Sequence, residues 1–311
     1  MTGASGFVGR SVCLGLKKAG YSVRAYVRNG VAKKYDVPGV DYYEVGEIDG
    51  RTSWTSFIGG VDCIIHCAAR LQHSGDRPHD AMEAFRLVNV EGTRRLAEES
   101  ARSGVRKLIY LSTIKVNGEQ TPFGDSFVAS DIAAPETAYA LSKWEGEQAL
   151  WAAARRTNLQ IVIVRAPLIY GRGVKGNMAS LNRLIRLGIP LPVGAVQNKR
   201  SLIAIENLID FLINCITHQA AANRTFLVSD GEDISTRELV ETIGRVMGRP
   251  ARIWSVSVRL LYVVGVILGK RDMVGRLLGS LQVDGKDVRR DLGWTPPLGV
   301  EEAVRRMVQK G

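Results

Sequence analysis

A tyrosine and a lysine four residues apart are the first residues of this chain that could do chemistry together. Tyr139 and Lys143 stand in a run with a helical pattern, where this spacing puts both side chains on one face. A phenol has an ordinary pKa of about 10, and a fixed ammonium beside it favours the phenolate and lowers that pKa. The pair therefore predicts a tyrosine that exchanges a proton near neutral pH. Because Tyr-x-x-x-Lys also arises by chance in many helices, the prediction depends on the rest of the chain.

The start of the chain supplies a glycine-rich turn. Gly3, Gly6 and Gly9 lie at intervals of three residues ahead of an amphipathic run. Glycine allows a tight turn and lets the backbone approach a ligand closely, and the free N–H groups at the start of a helix attract an anion such as the pyrophosphate of a dinucleotide. The turn and the Tyr/Lys pair together predict an enzyme that uses a dinucleotide.

The composition is that of an ordinary globular protein with an excess of basic residues. The chain has 42 lysines and arginines against 31 aspartates and glutamates, a formal net charge of +11. These basic residues are scattered, which favours a generally basic surface and predicts no nucleic-acid partner. A weak association with an acidic membrane surface stays open as the second interpretation.

The cysteines and the most apolar segment limit the class of protein further. Cys13, Cys63, Cys67 and Cys215 match neither the spacing of a zinc site nor a disulfide framework. They predict reduced thiols in a cytoplasmic protein, and we expect no metal. The most apolar stretch, residues 260–268, is far shorter than the roughly 20 residues that span a bilayer. We expect it to form a buried or interface helix.

Strand-like and helix-like segments alternate along the first part of the chain, which is typical of a parallel sheet with helices on both faces. We therefore predict an α/β fold, with a doubly wound sheet at 1–166 and a smaller substrate-binding lobe at 167–311. Some segments of the second part are expected to return to the core. The predicted strands are 21–27, 40–45, 61–66, 107–112, 160–165, 225–228 and 252–255. The predicted helices are 79–102, 136–156, 206–217 and 300–308.

These motifs resemble those of the extended short-chain dehydrogenase/reductase superfamily over essentially the whole chain. The resemblance is closer to the NAD-dependent epimerase/dehydratase family, which holds UDP-glucose 4-epimerase-like enzymes and bacterial UDP-sugar 4-keto reductases of polysaccharide synthesis. It implies a Rossmann-type fold, NAD or NADP as cofactor, and a UDP-hexose that reacts at C4. It also makes Thr113, five residues before Gly118, the catalytic hydroxyl beside Tyr139 and Lys143.

The same resemblance implies the residues that bind the cofactor and the substrate. The cofactor residues are Gly3, Ser5, Gly6, Phe7, Val8, Arg28, Glu47, Ile48, Ala68, Ala69 and Asn89, together with Tyr139 and Lys143. The substrate residues are Thr113, Asn177, Arg200 and Arg276.

In the implied mechanism Lys143 bonds the nicotinamide ribose and lowers the pKa of Tyr139. Thr113 holds the oxygen on C4, and Tyr139 exchanges a proton with that oxygen. Sugar dehydratases of the family carry an Asp-Glu pair after the threonine, where this chain has Ile114 and Lys115. Neither can move protons as a carboxylate pair does, so we expect no dehydration. Epimerisation and 4-keto reduction both stay open, as does a non-catalytic dinucleotide-binding sensor or partner subunit on the same fold.

The chain departs from the family pattern at two further points. NAD-selective relatives carry an acid about 20 residues past the glycines, whereas here the strand ends in Arg28, which suits a 2′-phosphate. NADP is therefore slightly preferred over NAD. Relatives also have a strand before the glycine turn, so we expect the natural chain to begin several residues earlier. The resemblance finally implies a homodimer built on the helices near 80–103 and 136–156.

Overall fold

The computed structural model of the chain describes residues 1–30, 37–71, 78–269 and 271–309. Among these residues the strands are β1 (Arg24–Val27), β2 (Asp41–Glu44), β3 (Cys63–His66), β4 (Lys107–Thr113), β5 (Gln160–Ala166), β6 (Leu168–Tyr170), β7 (Arg200–Ala204), β8 (Arg224–Leu227) and β9 (Asp233–Ile234). The helices are α1 (Phe7–Lys18), α2 (Thr55–Ile58), α3 (Pro78–Arg86), α4 (Thr93–Arg102), α5 (Ala138–Ala154), α6 (Asn177–Arg186), α7 (Ile205–Thr217), α8 (Thr236–Val246), α9 (Val258–Ile267), α10 (Arg271–Leu278), α11 (Lys286–Leu292) and α12 (Val300–Val308).

The main sheet is parallel throughout. β1 pairs with β2, and β3, β4, β5 and β8 pair in that order. Thr2 joins the two groups, because it makes parallel bridges with both Tyr26 and His66. The strands are therefore ordered β2-β1-Thr2-β3-β4-β5-β8, and the sheet with its flanking helices is of the Rossmann type.

Helices cover the main sheet on both faces, which is why its central strands β3, β4 and β5 are largely apolar and buried along their length. Every residue of β5 after Gln160 is buried. Neighbouring residues of one strand point to opposite faces, so Leu108 and Ile109 enter different clusters. Ile109 packs in a first apolar cluster under α1 and α7, and Leu108 packs in another cluster under α4 and α5.

The second half of the chain builds a smaller lobe. β6 pairs in parallel with β7, and β7 pairs antiparallel with β9. α6, α8 and α12 surround a separate apolar cluster that includes Met178, Val240 and Val304. β8 pairs with β5, α7 packs on α1, and α11 contacts β8, so these three elements beyond residue 200 lie with the main sheet.

Most of the predicted elements are present with ends shifted by a few residues. The predicted strands 21–27, 40–45, 61–66, 107–112, 160–165 and 225–228 correspond to β1, β2, β3, β4, β5 and β8. The predicted helices 136–156, 206–217 and 300–308 correspond to α5, α7 and α12.

Two predicted elements need correction. The single helix predicted at 79–102 is interrupted by a π-helical segment, Leu87–Gly92, between α3 and α4. The strand predicted at 252–255 is wrong, because only Ile253 makes a bridge, to Leu191. Its partner segment contains Pro190, Pro192 and Gly194, and proline cannot donate to a ladder of hydrogen bonds.

Of the two expectations for residues 260–268, the buried helix is wrong, and the interface helix stays a prediction. α9 occupies this stretch, and Gly265 is its one buried residue. The helix contacts α10, and most of its large apolar side chains are exposed. No helix in the described ranges combines the length and the apolar character that crossing a membrane requires.

The four cysteines are unpaired thiols. Cys13 and Cys215 are buried in the first apolar cluster, and Cys63 and Cys67 pack against it. All four thiols therefore belong to the half of the molecule that contains the main sheet.

Candidate active site

The glycine-rich turn is packed too tightly for a side chain at Gly3 or at Gly9. Gly3 has a φ of +69°, and the N–H of Gly6 donates to its carbonyl over 3.0 Å. A Cβ on Gly9 would lie 2.0 Å from the same carbonyl oxygen, and a Cβ on Gly3 would lie 2.6 Å from the backbone nitrogen of Ala68. The turn, the start of α1 and the end of β3 are thus in direct backbone contact, as glycine alone permits.

The start of α1 offers donors to an anion. Its first N–H groups have no partner within the helix, Gly6 supplies no side-chain cap, and the first turn contains no acidic residue. Ser5, Phe7 and Val8 are half-buried in this turn. The backbone amides and the positive end of the helix dipole therefore suit a pyrophosphate.

The other predicted cofactor residues follow the carboxyl ends of neighbouring strands. Arg28 is exposed directly after β1, Glu47 is exposed after β2, and Ala68 and Ala69 follow β3. Parallel strands end at one edge of a sheet, so these residues lie along the edge that holds the glycine turn. Ile48 packs on the π-helical segment, where a Cβ on Gly92 would lie 2.7 Å from its Cγ2.

Asn89 connects the cofactor edge to α5. It is buried in the π-helical segment, and its Nδ2 donates to Ser142 Oγ over 2.9 Å and to the carbonyl of Arg70 over 3.2 Å. The backbone N–H of Arg70 donates to Asn89 Oδ1 over 2.8 Å. The Asn89 side chain therefore positions the segment after Ala69 against the turn of α5 that precedes Lys143. π-Helical turns often occur at functional sites.

Lys143 is buried with its amine next to β4. Its side chain is 1% exposed, and Nζ donates to the carbonyl of Leu111 over 2.8 Å. The same Nζ lies 3.8 Å from the centroid of the Tyr110 ring, within cation–π range. Burial lowers the pKa of Lys143 to about 7, although Glu147 and Cys67 favour the charged form.

Tyr139 lies one turn before Lys143 on α5, and its ring meets the ring of Phe85 edge to face with 6.2 Å between centroids. Burial raises its pKa to about 12. The sequence-based expectation was a lowered pKa for Tyr139, whereas here the pKa lies above its ordinary value because the phenol is desolvated by burial.

Thr113 is the last residue of β4, and its Oγ1 accepts a hydrogen bond from the N–H of Lys115 over 3.3 Å. Lys143 bonds the carbonyl of Leu111, two residues earlier on the same strand. Lys143 therefore lies against the last part of β4, the strand that ends at Thr113, and Tyr139 lies one turn before Lys143 on α5.

A buried network beneath Lys143 was not anticipated from the sequence. Glu147 Oε2 accepts from Arg165 Nη2 over 2.7 Å, and Glu147 Oε1 accepts from Ser112 Oγ over 2.5 Å. Arg165 Nη1 also donates to Asn117 Oδ1 over 3.0 Å. The available signal was the position of Glu147, four residues after Lys143 on the same face of α5.

Two of the predicted substrate residues lie together. Arg200 Nη1 donates to the backbone carbonyl of Arg276 over 2.7 Å and to that of Gly279 over 3.0 Å. The pKa of Arg200 is lowered by burial and by the charge of Arg276, while Glu119 raises it. Asn177, the third, is exposed at the first position of α6. The two arginines form a cationic group fit for a diphosphate.

The chain is similar to known proteins over nearly its full length. The model of the family described as "NAD dependent epimerase/dehydratase family" matches residues 1–229. The UDP-glucose 4-epimerase of Vibrio cholerae is 41% identical over 311 residues, which cover 99% of this chain and 94% of that protein. The N-acetyl-alpha-D-glucosaminyl-diphospho-ditrans,octacis-undecaprenol 4-epimerase of Escherichia coli O157:H7 is 25% identical and covers 90% of this chain and 80% of its own length.

Solved structures share the fold. The UDP-glucuronic acid 4-epimerase of Bacillus cereus, in complex with NAD, superposes with a TM-score of 0.78 at 17% identity. The match covers 98% of this chain and 95% of that one. At this identity the likeness shows the arrangement of strands and helices alone.

Proposed function

We propose that this chain, which belongs to the NAD dependent epimerase/dehydratase family, is an NAD(P)-dependent enzyme acting at C4 of a UDP-hexose. The proposed reactions are 4-epimerisation and 4-keto reduction, in the synthesis of precursors for surface polysaccharide. The observation that carries the proposal is the 41% identity to a UDP-glucose 4-epimerase along nearly the whole of both chains. The hydrogen bond of Lys143 on α5 to Leu111, two residues before Thr113 on β4, supports it.

The edge of the sheet fits the dinucleotide. The tight turn has no room for side chains at Gly3 and Gly9, and the start of α1 presents N–H donors without an acidic side chain. In the proposal Ser5 and Gly6 hold the pyrophosphate, and Asn89 keeps the wall formed by Ala68 and Ala69 in place. When bound, the nicotinamide supplies the hydride exchange at C4.

The side chains supply position and a proton. With a pKa of about 12, Tyr139 keeps its proton at neutral pH and is ready to donate it to the oxygen on C4. Thr113 holds that oxygen from the end of β4. Lys143 lies one turn away with a pKa of about 7, so it can take up or release a proton near neutral pH while it orients the ribose.

For the choice of cofactor we propose a slight preference for NADP(H). Arg28 is exposed immediately after β1, where a 2′-phosphate would be reached. Dissociation constants for NADH and NADPH measured on the wild type and on Arg28→Ala test this. Tighter NADPH binding that is lost in the variant supports the preference, and tenfold tighter NADH binding in the wild type overturns it.

The experiment for the reaction uses UDP-hexoses and their 4-keto forms with NADH or NADPH. Net consumption of the reduced cofactor identifies a reductase. Exchange between C4 isomers without net consumption identifies an epimerase. If the protein binds the cofactor but no UDP-hexose reacts, the proposed activity at C4 is wrong.

A sugar carried on a polyprenyl diphosphate is a second candidate substrate. One observation favours it: Arg276, which lies beside Arg200, is carried by α10, and α10 packs on α9, an exposed apolar helix. A diphosphate could bind the arginines while the lipid lies on the helix. Turnover of the polyprenyl-linked sugar without turnover of the UDP-sugar would favour this candidate.

We also propose that the protein is a cytoplasmic homodimer, joined through α3, α4 and α5. Arg86 of α3 and Glu145 of α5 already form an ion pair at 2.6 Å between these helices within one chain. Light scattering measures the mass, and a monomer at all concentrations would refute the dimer.

A further inference from the structure

α9 is an apolar helix that the fold leaves almost uncovered. Its buried residue is Gly265, where the helix meets α10 so closely that a Cβ would lie 2.5 Å from Val274 Cγ2. The large side chains around it are exposed, by 54% at Leu260, 51% at Val263 and 76% at Ile267. Soluble proteins seldom leave contiguous apolar surface of this kind without a binding role.

The exposed surface extends beyond the helix. Trp254 is 64% exposed shortly before α9, and its backbone is hydrogen-bonded to Leu191 at the end of a loop in which Leu187 is 61% exposed. We call the exposed apolar residues of α9, together with Leu268 and Trp254, the α9 surface. It combines a short apolar helix with an aromatic side chain at one end.

Within the segment that forms the α9 surface, residues 249–269, the charged side chains have one sign. Between residues 249 and 269 the charged side chains are Arg249, Arg252 and Arg259, and the segment contains no aspartate or glutamate. Arg252 and Arg259 are exposed beside Trp254 and at the start of α9. The whole chain carries a formal net charge of +11. These cations complement the negative surface of a bilayer with anionic lipids.

We propose that the α9 surface docks the protein on an anionic lipid bilayer. A helix of ten residues is too short to cross a membrane, but it can lie in the interface with its apolar side chains among the acyl chains. Trp254 and the arginines then lie at the level of the headgroups, which is where tryptophan and basic residues anchor interfacial helices. Because α10 carries Arg276 and packs on α9, docking would hold the substrate side of the small lobe near the membrane.

The test measures sedimentation of the full chain with vesicles of phosphatidylcholine, with or without phosphatidylglycerol. We expect wild-type protein to bind the vesicles that contain phosphatidylglycerol, and the double variant Leu260→Glu/Ile267→Glu to bind them at least ~tenfold more weakly. Ile132→Glu is the matched control, because Ile132 is 92% exposed outside the α9 surface. The control should bind like the wild type.

The arginines provide a second arm that leaves the apolar helix intact. Arg252→Gln and Arg259→Gln should each weaken binding about fivefold, since one basic residue near an anionic surface contributes about a factor of this size. The loss should shrink as salt is added, because salt screens exposed charges. If the double variant on α9 fails to fold, the two arginine variants and the comparison of the two vesicle types still test whether the α9 surface binds anionic lipid.

Several outcomes overturn the proposal. One is folded wild-type protein that binds neither kind of vesicle. Another is an equal loss of binding in Ile132→Glu. In a third, the wild type does not bind vesicles, and light scattering gives the α9 double variant a lower mass than the wild type. That result would make α9 an interface between two copies. The vesicle result does not depend on the proposed reaction, and turnover of UDP-sugars measured without vesicles should be the same in the α9 variants and the wild type.

Discussion

Tyr139 and Lys143 lie one turn apart on α5, yet burial moves their pKa values in opposite directions. The phenol rises to about 12 and the ammonium falls to about 7, because desolvation favours the neutral form of each group. The spacing of the two residues could be predicted from the sequence, and so could their place on a helix. The sign of the shift at Tyr139 could not, since it depends on how deeply the folded chain buries the ring, which packs against Phe85.

Replacing Tyr139 with phenylalanine tests its role in proton transfer. We expect kcat to fall by at least about 100-fold, which is the lower range for loss of a general acid. The fold should be kept, because the contact of the ring with Phe85 needs no hydroxyl. Steady-state kinetics and urea unfolding measure both effects. Tyr262→Phe, at an exposed tyrosine on α9, is the control; unchanged turnover in Tyr139→Phe would contradict the assignment.

The buried ammonium of Lys143 predicts a dependence of stability on pH. Its pKa is about 7 in the folded protein against 10.5 in the unfolded chain. Between these values the unfolded chain binds more protons, so the contribution of Lys143 to the free energy of unfolding rises with pH and is least favourable below pH 7. Lys143→Met should therefore stabilise most below pH 7, by a few kcal/mol. Urea unfolding of both proteins from pH 6 to 10 measures this. A difference that does not change with pH would refute it.

At the scale of single elements, α5 joins the candidate site to the sheet. Tyr139, Lys143 and Glu147 follow at intervals of four residues, and Glu147 is fully buried between Ser112 of β4 and Arg165 of β5. Helical periodicity predicts the shared face. The partners of Glu147 could not be predicted, because they depend on which strands lie under the helix. The π-helical segment that buries Asn89 was missed for a similar reason: its local pattern is that of an ordinary helix.

Two glutamates on α5 separate the energetics of buried and exposed ion pairs. Glu147→Gln leaves the buried guanidinium of Arg165 without its counter-charge, and we expect a loss of about 3–5 kcal/mol in the free energy of unfolding. Glu145→Gln breaks the exposed pair with Arg86 and should cost at most about 1 kcal/mol. Urea unfolding under one set of conditions compares them. Equal losses of unfolding free energy in the two variants would show that burial does not make the Glu147–Arg165 pair more important for stability than the exposed pair.

At the scale of the whole molecule, the candidate substrate site spans both halves. Arg200 begins β7 of the small lobe, and the charge of Glu119, from the segment after β4, acts on it. The parallel sheet could be predicted from long apolar runs. The sheet of the small lobe was missed, because β6 and β9 contain three and two residues and give no periodic signal.

A ligand that binds between the halves should stabilise the whole chain. UDP at one hundred times its dissociation constant should raise the free energy of unfolding by about 2.7 kcal/mol. We expect Arg200→Ala to bind UDP at least about tenfold more weakly, because a half-buried cation for the diphosphate is removed. Arg183→Ala, at an exposed arginine of α6, should respond like the wild type. Thermal unfolding with increasing UDP measures this. Equal shifts in all three proteins would place the diphosphate elsewhere.

The location of the cysteines makes chemical labelling a local probe of opening. Burial raises the pKa values of Cys63, Cys67 and Cys215 to about 12 and also raises that of Cys13. At neutral pH the folded protein therefore holds almost no reactive thiolate. All four thiols belong to the main-sheet half, so the rate at which a thiol reagent modifies them measures how often that half opens transiently. Because the small lobe has no thiol to react, the wild-type chain lets an experimenter time the opening of one half independently of the other, without any engineered label.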